Sequence, residues 1–318
     1  MLDRLALDVE PGTAPVGLVH PDVLARLAKE YQTSGGAESE RILERFSLAL
    51  HGVRMGGTWK RTNAGRLGST ESAILAHLEP VTSGHPETLH FLDLGASDGT
   101  TTREAVERFE SEGKRAVSAV LADLNLWIDV THRFFGNEYR AADGEPILRT
   151  FGSRGLRLSR GRKGMKEGSF LTRVYCFLFR PGNRPTKSPD ERIWLINPRV
   201  QADPRIEAVP MNALVEQERF RGRFHAIRAS NVLNIQYFDA DQLARAATIL
   251  HGYLKPNGLL VVSRNVGDYP HEVEKGTLWR RTPTGFKRVL AFGGGSEIQD
   301  VIDALVVPTQ PAPKLLGA

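Results

Sequence analysis

The residues of greatest chemical promise stand together in Phe91-Leu92-Asp93-Leu94-Gly95-Ala96-Ser97-Asp98-Gly99-Thr100. An apolar run ends in a loop of small residues, and a helical pattern follows. Gly95, Ser97 and Gly99 carry little or no side chain, so a ligand can lie against their backbone. Such a loop at the carboxyl end of a buried strand faces the crevice where open α/β sheets bind ligands. The spacing excludes two phosphate-binding readings. A dinucleotide fingerprint needs G-x-G-x-x-G and a phosphate loop needs Gly-Lys-Ser/Thr, whereas this chain has Gly95-x-Ser97-x-Gly99. Asp93 and Asp98 would repel a pyrophosphate and suit a cationic ligand bearing hydroxyl and amino groups. A further carboxylate, Asp123 in Leu121-Ala122-Asp123-Leu124, lies 28 residues after Gly95. That distance fits strand, helix and strand. Taken singly, the glycines could be turn residues and Asp123 an ordinary strand-end acid; their order in one pattern is what points to a nucleoside-type site.

These groups need a sheet to hold them. Leu89 to Leu94 reads as a buried strand, Gly99 to Glu112 as a helix ended by Gly113, and Ala116 to Asp123 as a second strand. Arg205 to Met211 is a weaker strand, marred by Pro210, and Arg223 to Ser230 is another. Asp239 to Leu254 reads as a helix, with Asp239 and Gln242 as a capping-box pair and Leu243, Ala247, Leu250 and Leu254 in one stripe. Lys255 to Gly258 is a turn before a central strand, Leu259 to Ser263. Thr277 to Arg281 and Phe286 to Phe292 flank Thr282-Pro283-Thr284-Gly285 as an antiparallel hairpin. The expected class is α/β: a mostly parallel sheet with helices on both faces and a C-terminal antiparallel hairpin.

The expected domains are an N-terminal helical cap (1–85), the main domain (86–307) with an insert at about 137–190, and a loose Pro-rich tail (308–318). Within the cap, helices are expected over His20 to Tyr31, Glu38 to Leu50 and Ser69 to Leu78, the last capped by Ser69. Ala142-Asp143-Gly144-Glu145 marks a hairpin inside the insert.

Hydrophobic residues make up 41% and charged residues 25%, the balance of an ordinary globular chain. The net charge is +5, yet Arg149 to Arg192 holds twelve Lys and Arg against three acids, so the rest is net acidic. In that basic stretch Phe170, Val174, Tyr175, Phe177, Leu178 and Phe179 interleave with the cations. It could dock on an anionic membrane surface, on an acidic partner or on nucleic acid, or be a solvated loop. The single cysteine, Cys176, leaves no internal disulfide and no cysteine-built zinc site, and no metal is expected. The opening MLDRLALDVEPG lacks the basic lead and long apolar region of a secretory signal, so a cytoplasmic location, or one peripheral to the membrane, is expected.

On Asp93-Leu94-Gly95-Ala96-Ser97-Asp98-Gly99 the chain resembles the class I, Rossmann-like S-adenosylmethionine-dependent methyltransferases, whose first motif has an acid-x-G-x-G-x-G form. Serine replaces the middle glycine here. The resemblance covers about residues 88 to 307 apart from the insert. It implies S-adenosyl-L-methionine as cofactor, with Asp93, Gly95, Ser97 and Gly99 in the first motif and Asp123 on the ribose hydroxyls. Asn212 and Ala213 would border the adenine, and Ala229 would open the fourth motif, Ala229-Ser230-Asn231-Val232-Leu233. Residues 227 to 238 are also similar to the corresponding region of chemotaxis-receptor glutamate methyltransferases, a local likeness that does not carry the protein-glutamate activity.

Methyl transfer from a sulfonium is a direct displacement, so a protein of this kind aligns the acceptor and excludes water. A base is needed only for a protonated acceptor. The acceptor-side candidates are Arg228, Asn231 and Tyr237, with His132 and His225 as possible bases and Trp59, Lys60 and Arg61 as a closing segment after Gly56-Gly57. The expected acceptor is a small or lipid-like molecule. A protein side chain or RNA, or a non-catalytic binding role for the same fold, is the alternative.

Overall fold

The computed structural model describes residues 3–10, 18–55, 58–59, 65–78, 88–134, 136–157, 188–267 and 271–308. Most of the basic stretch with Cys176, the tail from 309, and the side chains of Trp59, Lys60 and Arg61 lie outside the described residues. In chain order the elements are β1 (Asp3–Arg4), α1 (Asp22–Thr33), α2 (Gly36–His51), β2 (Arg54–Met55), β3 (Thr58–Trp59), α3 (Gly68–His77), β4 (Leu89–Leu94), α4 (Thr100–Gly113), β5 (Val117–Asp123) and β6 (Trp127–Arg133). There follow β7 (Gly136–Ala141), β8 (Pro146–Phe151), β9 (Arg154–Arg157), β10 (Glu191–Trp194), α5 (Pro198–Gln201), β11 (Ile206–Pro210) and β12 (Phe224–Ser230). The last are α6 (Ala240–Tyr253), β13 (Leu254–Val266), β14 (Val273–Thr282), β15 (Gly285–Phe292) and α7 (Gln299–Asp303).

The chain forms two compact units. One takes in Met1–Asn63, Ser97–Thr100 and Leu124–Asp203; the other takes in Ala64–Ala96, Thr101–Asp123 and Pro204–Ala318. This division differs from the expected boundaries. Helices α1 and α2 and the strands of the insert belong to the same unit, because they share one apolar core, whereas α3 belongs to the second unit.

The second unit is built on a seven-stranded sheet of order β11-β5-β4-β12-β13-β14-β15. The first five strands are mutually parallel, and β14 and β15 close the sheet antiparallel. Alternate residues point to opposite faces of a strand, and the core follows that rule. Leu92, Leu94, Val120, Ala122, Ile227, Leu260 and Val262 pack with Leu243, Ala247 and Leu250 of α6 and Ile302 of α7. Phe91, Val117, Ala119, Ala226, Leu259 and Val261 pack with Ala73 and Ile74 of α3 and Ala105, Val106 and Phe109 of α4. Pro210 is tolerated because β11 is the edge strand, where a missing N–H breaks no inner ladder. The turn expected at Lys255–Gly258 is absorbed into β13, with Asn257 at φ +62°. Ser69 does not cap α3. The carboxylate of Glu274 accepts from the Ser69 and Thr70 backbone N–H groups at 3.0 and 3.2 Å instead.

The first unit holds a six-stranded antiparallel sheet, β1-β9-β8-β7-β6-β10, so the expectation of a mostly parallel sheet is met in the second unit alone. Leu24, Leu27, Phe46 and Leu50 of α1 and α2 pack with Ile128, Val130, Tyr139, Leu148 and Ile193 of this sheet. Only its β7–β8 hairpin was legible, where Gly144 N donates to Ala141 O at 2.8 Å. Strands β6 and β10 mix Asp129, His132, Arg133, Glu191 and Arg192 with Trp127, Ile128, Val130, Ile193 and Trp194, so neither forms an apolar run long enough to stand out.

Candidate functional site

The loop after β4 is pinned to the neighbouring strand. Leu94 pairs with Ala122 in the parallel β4–β5 register, and the Gly95 and Ala96 N–H groups both donate to Ala122 O, at 2.8 and 3.2 Å. The backbone turns left-handed at Gly95 (φ +76°), Ser97 (φ +59°) and Gly99 (φ +83°). Glycine enters that region freely and serine only at a cost, so Ser97 is the strained member of the three. The space beside Gly95 is used by the protein itself: a Cβ there would fall 2.7 Å from Val232 Cβ. Asp98 is fully buried and turned inward. Its carboxylate accepts from Thr100 N at 3.0 Å and Thr100 Oγ1 at 3.1 Å, and its carbonyl accepts from Asn197 N at 2.9 Å. Asp98 therefore opens α4 and does not face a cationic ligand as expected.

Asp93 needs the same correction. It is buried, and its Oδ1 accepts from Arg228 Nε at 2.9 Å while Oδ2 accepts from Arg228 Nη2 at 2.6 Å and Thr102 Oγ1 at 2.6 Å. Asp93 and Arg228 face each other directly in the β4–β12 register. Arg228 is 0% exposed and reaches Glu71 Oε1 at 3.1 Å with its third nitrogen. Burial by itself would depress this guanidinium, but Asp93 above all, with Glu71, holds it above its ordinary value. Burial pushes the Glu71 carboxyl up, against the pull of Arg228 and Arg108. Arg228 is thus a sealed structural cation tying β4, β12 and α3, and not an acceptor-side group. A second buried chain lies alongside: Ser230 Oγ meets Ser263 Oγ at 2.7 Å, and Thr70 Oγ1 donates to Ser263 Oγ at 3.0 Å.

Asp123 ends β5, half-buried, one strand from the glycine loop. Its carbonyl accepts from Met211 N at 3.0 Å, which brings the turn after β11 to the same edge. In that turn Asn212 is exposed, its Oδ1 accepting from Leu214 N at 2.9 Å, and Ala213 is buried. Ala229 is one residue too deep. It lies inside β12 opposite Leu94 and Val262, and its methyl group packs in the core, so it is corrected from a cofactor contact to a core residue.

The segment after β12 carries the other candidates. Asn231 is left-handed (φ +61°). Its Oδ1 accepts from Asn265 N at 2.8 Å and its Nδ2 donates to Asn265 Oδ1 at 3.1 Å, which locks the ends of β12 and β13 together. Tyr237 is exposed, and its N–H donates to Asn234 Oδ1 at 3.2 Å. A cleft of about 310 Å³ opens here, with Asn231, Asn234, Arg264, Lys275, Gly294 and Glu297 among its lining. Arg264, Lys275, Gly294 and Glu297 were missed in the sequence. The run Gly293-Gly294-Gly295, left-handed throughout (φ +60°, +98° and +85°), was the available signal. His225 sits at the far end of β12 from this cleft, its Nδ1 accepting from His90 N at 2.9 Å. His132 belongs to the first unit, exposed on β6, with Nδ1 2.9 Å from Asn137 Oδ1.

No protein-family model and no curated protein sequence matches the chain. Among solved structures it is similar to the citrinin polyketide synthase CMeT domain, at 16% identity and a TM-score of 0.29, over 58% of this chain and 31% of that one. It is similar to the DszA carbon methyltransferase at 16% identity and a TM-score of 0.28, over 77% of this chain and 40% of that one. It is similar to a Burkholderia thailandensis 1,6-didemethyltoxoflavin-N1-methyltransferase at 13% identity and a TM-score of 0.34, over 95% of this chain and 87% of that one. The chain spans less than half the length of the first two. TM-scores near 0.3 are too low to carry the activity of any of these proteins to this chain.

Proposed function

We propose that this chain is an S-adenosylmethionine-dependent methyltransferase of the class I, Rossmann-like kind, acting on a small-molecule acceptor. One observation carries the reading. The loop that leaves β4 through left-handed residues is hydrogen-bonded to the end of the adjacent parallel strand, which terminates in Asp123. Within the second unit Asp123 would hold the ribose hydroxyls, and Asn212 and Ala213 would flank the base. Carboxylate to hydroxyl is a charge-assisted contact that suits a sugar edge. When bound, S-adenosylmethionine supplies an already activated methyl group. The chain's own task is to align an acceptor and keep water away. Asn231, fixed by Asn265 at the end of β12, and Tyr237 in the segment that follows would orient the acceptor.

Calorimetry on the full chain with S-adenosylmethionine and with S-adenosylhomocysteine tests the donor site. Asp123→Ala is expected to weaken binding by about 1.5–3 kcal/mol, the worth of a hydrogen bond to a charged group. Absence of binding by the wild type would remove the proposal, and unchanged affinity in Asp123→Ala would move the ribose elsewhere. Transfer of labelled methyl into a small-molecule extract tests turnover; binding without transfer would favour the non-catalytic alternative.

A further inference from the structure

The cleft at the ends of β12 and β13 has an unbalanced charge. Arg264 and Lys275 are direct partners across the antiparallel β13–β14 pair. Like charges set opposite each other on neighbouring strands repel. Glu297 answers one of them: its Oε2 accepts from Arg264 Nη1 at 2.6 Å, and its Oε1 accepts from Ile235 N at 3.1 Å. Lys275 is exposed on the cleft wall and has no ion pair or hydrogen-bond acceptor for its ammonium among the described residues. Among the described residues Lys275 is thus the lining charge without a partner, in a cleft whose wall also holds the Arg264–Glu297 pair, the amides Asn231 and Asn234 and the apolar Leu233 and Val266.

The glycine turn lies beside Lys275, a Cβ on Gly293 falling 3.0 Å from Lys275 Cα, and it is shaped for close approach. Gly293 is backed by Glu274 O, 2.3 Å from where its Cβ would be, whereas a Cβ on Gly294 would meet nothing within 4 Å. Bare backbone at Gly294 leaves room for a small group to reach the main chain. A volume of about 310 Å³ is at the small end of ligand sites. Asn231, on the cleft, is followed by Val232, which packs against the loop glycine Gly95.

We infer that this cleft binds the anionic group, carboxylate or phosphate, of a small ligand, with Lys275 supplying the charge. The identification of that ligand as the methyl acceptor rests on the proposed function; the anion site does not.

Titration of the full chain at low ionic strength with inorganic phosphate and, separately, with acetate tests the inference, read by calorimetry and by the amide resonances of Gly294 and Gly295. Saturable binding is expected for at least one of the two, which also tells phosphate from carboxylate. Lys275→Met should weaken it by ~10-fold or more, as for loss of one charge-assisted contact, while Lys275→Arg should retain it. Glu297→Gln should tighten it by removing a competing carboxylate. No saturable binding by the wild type, or equal affinity in Lys275→Met, would overturn the anion site. S-adenosylhomocysteine affinity of the same variants separates the two ideas. Donor binding without anion binding removes only this inference, and anion binding without donor binding removes only the methyl-transfer reading.

Discussion

At Gly95 the backbone turns through φ +76° with Val232 lying where a Cβ would point. Gly95→Ala should destabilise the chain by roughly 1–3 kcal/mol, from overpacking and from a side chain at positive φ. Val232→Ala should recover part of that loss in the double variant, measured by urea unfolding of all four members of the cycle. Additive losses would show that backbone conformation alone requires the glycine. Arg228 shows how far one residue is readable. A guanidinium between Ala226, Ile227 and Ala229 in the Phe224–Ser230 strand announces a buried charge that must be paired. Its partners Asp93 and Glu71 stand 135 and 157 residues away, and nothing in their spacing names them. For the same reason the spacing of Asp93 points to a ligand although its carboxylate serves this pair.

Among the elements, α6 was read almost whole because its signals are local. Asp239 Oδ1 accepts from Gln242 N at 2.8 Å and Gln242 Oε1 accepts from Asp239 N at 3.1 Å, the capping box expected from those two residues. Its other end holds His251, buried, with Nε2 donating to Thr282 O of β14 at 2.8 Å. Burial lowers the pKa of His251, despite the opposing pull of the Thr282 carbonyl, from its ordinary value of 6.5. The unfolded chain then binds more protons than the folded one in the window between the lowered value and 6.5. Stability should be full above that window and be lost as pH falls through it. His251→Gln should flatten this decline in urea midpoints taken from neutral to mildly acidic pH. A residual slope is expected from His20 of the first unit, also lowered by burial, although Asp22 opposes it. An unchanged slope in His251→Gln would mean that the histidine titrates as it does when unfolded.

For the molecule as a whole, the second unit has five parallel strands with loops at their carboxyl ends and helices against both faces, the arrangement in which open α/β sheets bind ligands at the strand ends. A ligand that binds only the folded chain stabilises it by about 2.7 kcal/mol at a hundredfold excess over Kd. S-adenosylhomocysteine at that excess should raise the urea midpoint with the slope unchanged. The shift should grow with ligand concentration and shrink at equal concentration in Asp123→Ala. A midpoint that does not move would count against the donor site without reference to turnover. Among the described residues, no helix is long and apolar enough to cross a membrane.

Patterns carried by neighbouring residues were decided by the chain alone: β4, β5, β12, α6 and the β14–β15 hairpin, the glycine-spaced loop, and Asp123 at a strand end. Period, capping and turn chemistry act over a few residues, so they can be read without the fold. Tertiary structure decided the rest. It joined α1 and α2 to an antiparallel sheet whose short strands mix charged with apolar residues, and it turned Asp93 and Asp98 inward. It also set Arg264 against Lys275 beside a turn of three glycines. Those outcomes depend on which distant residue arrives opposite which, and strand order and register settle that only when the sheet assembles.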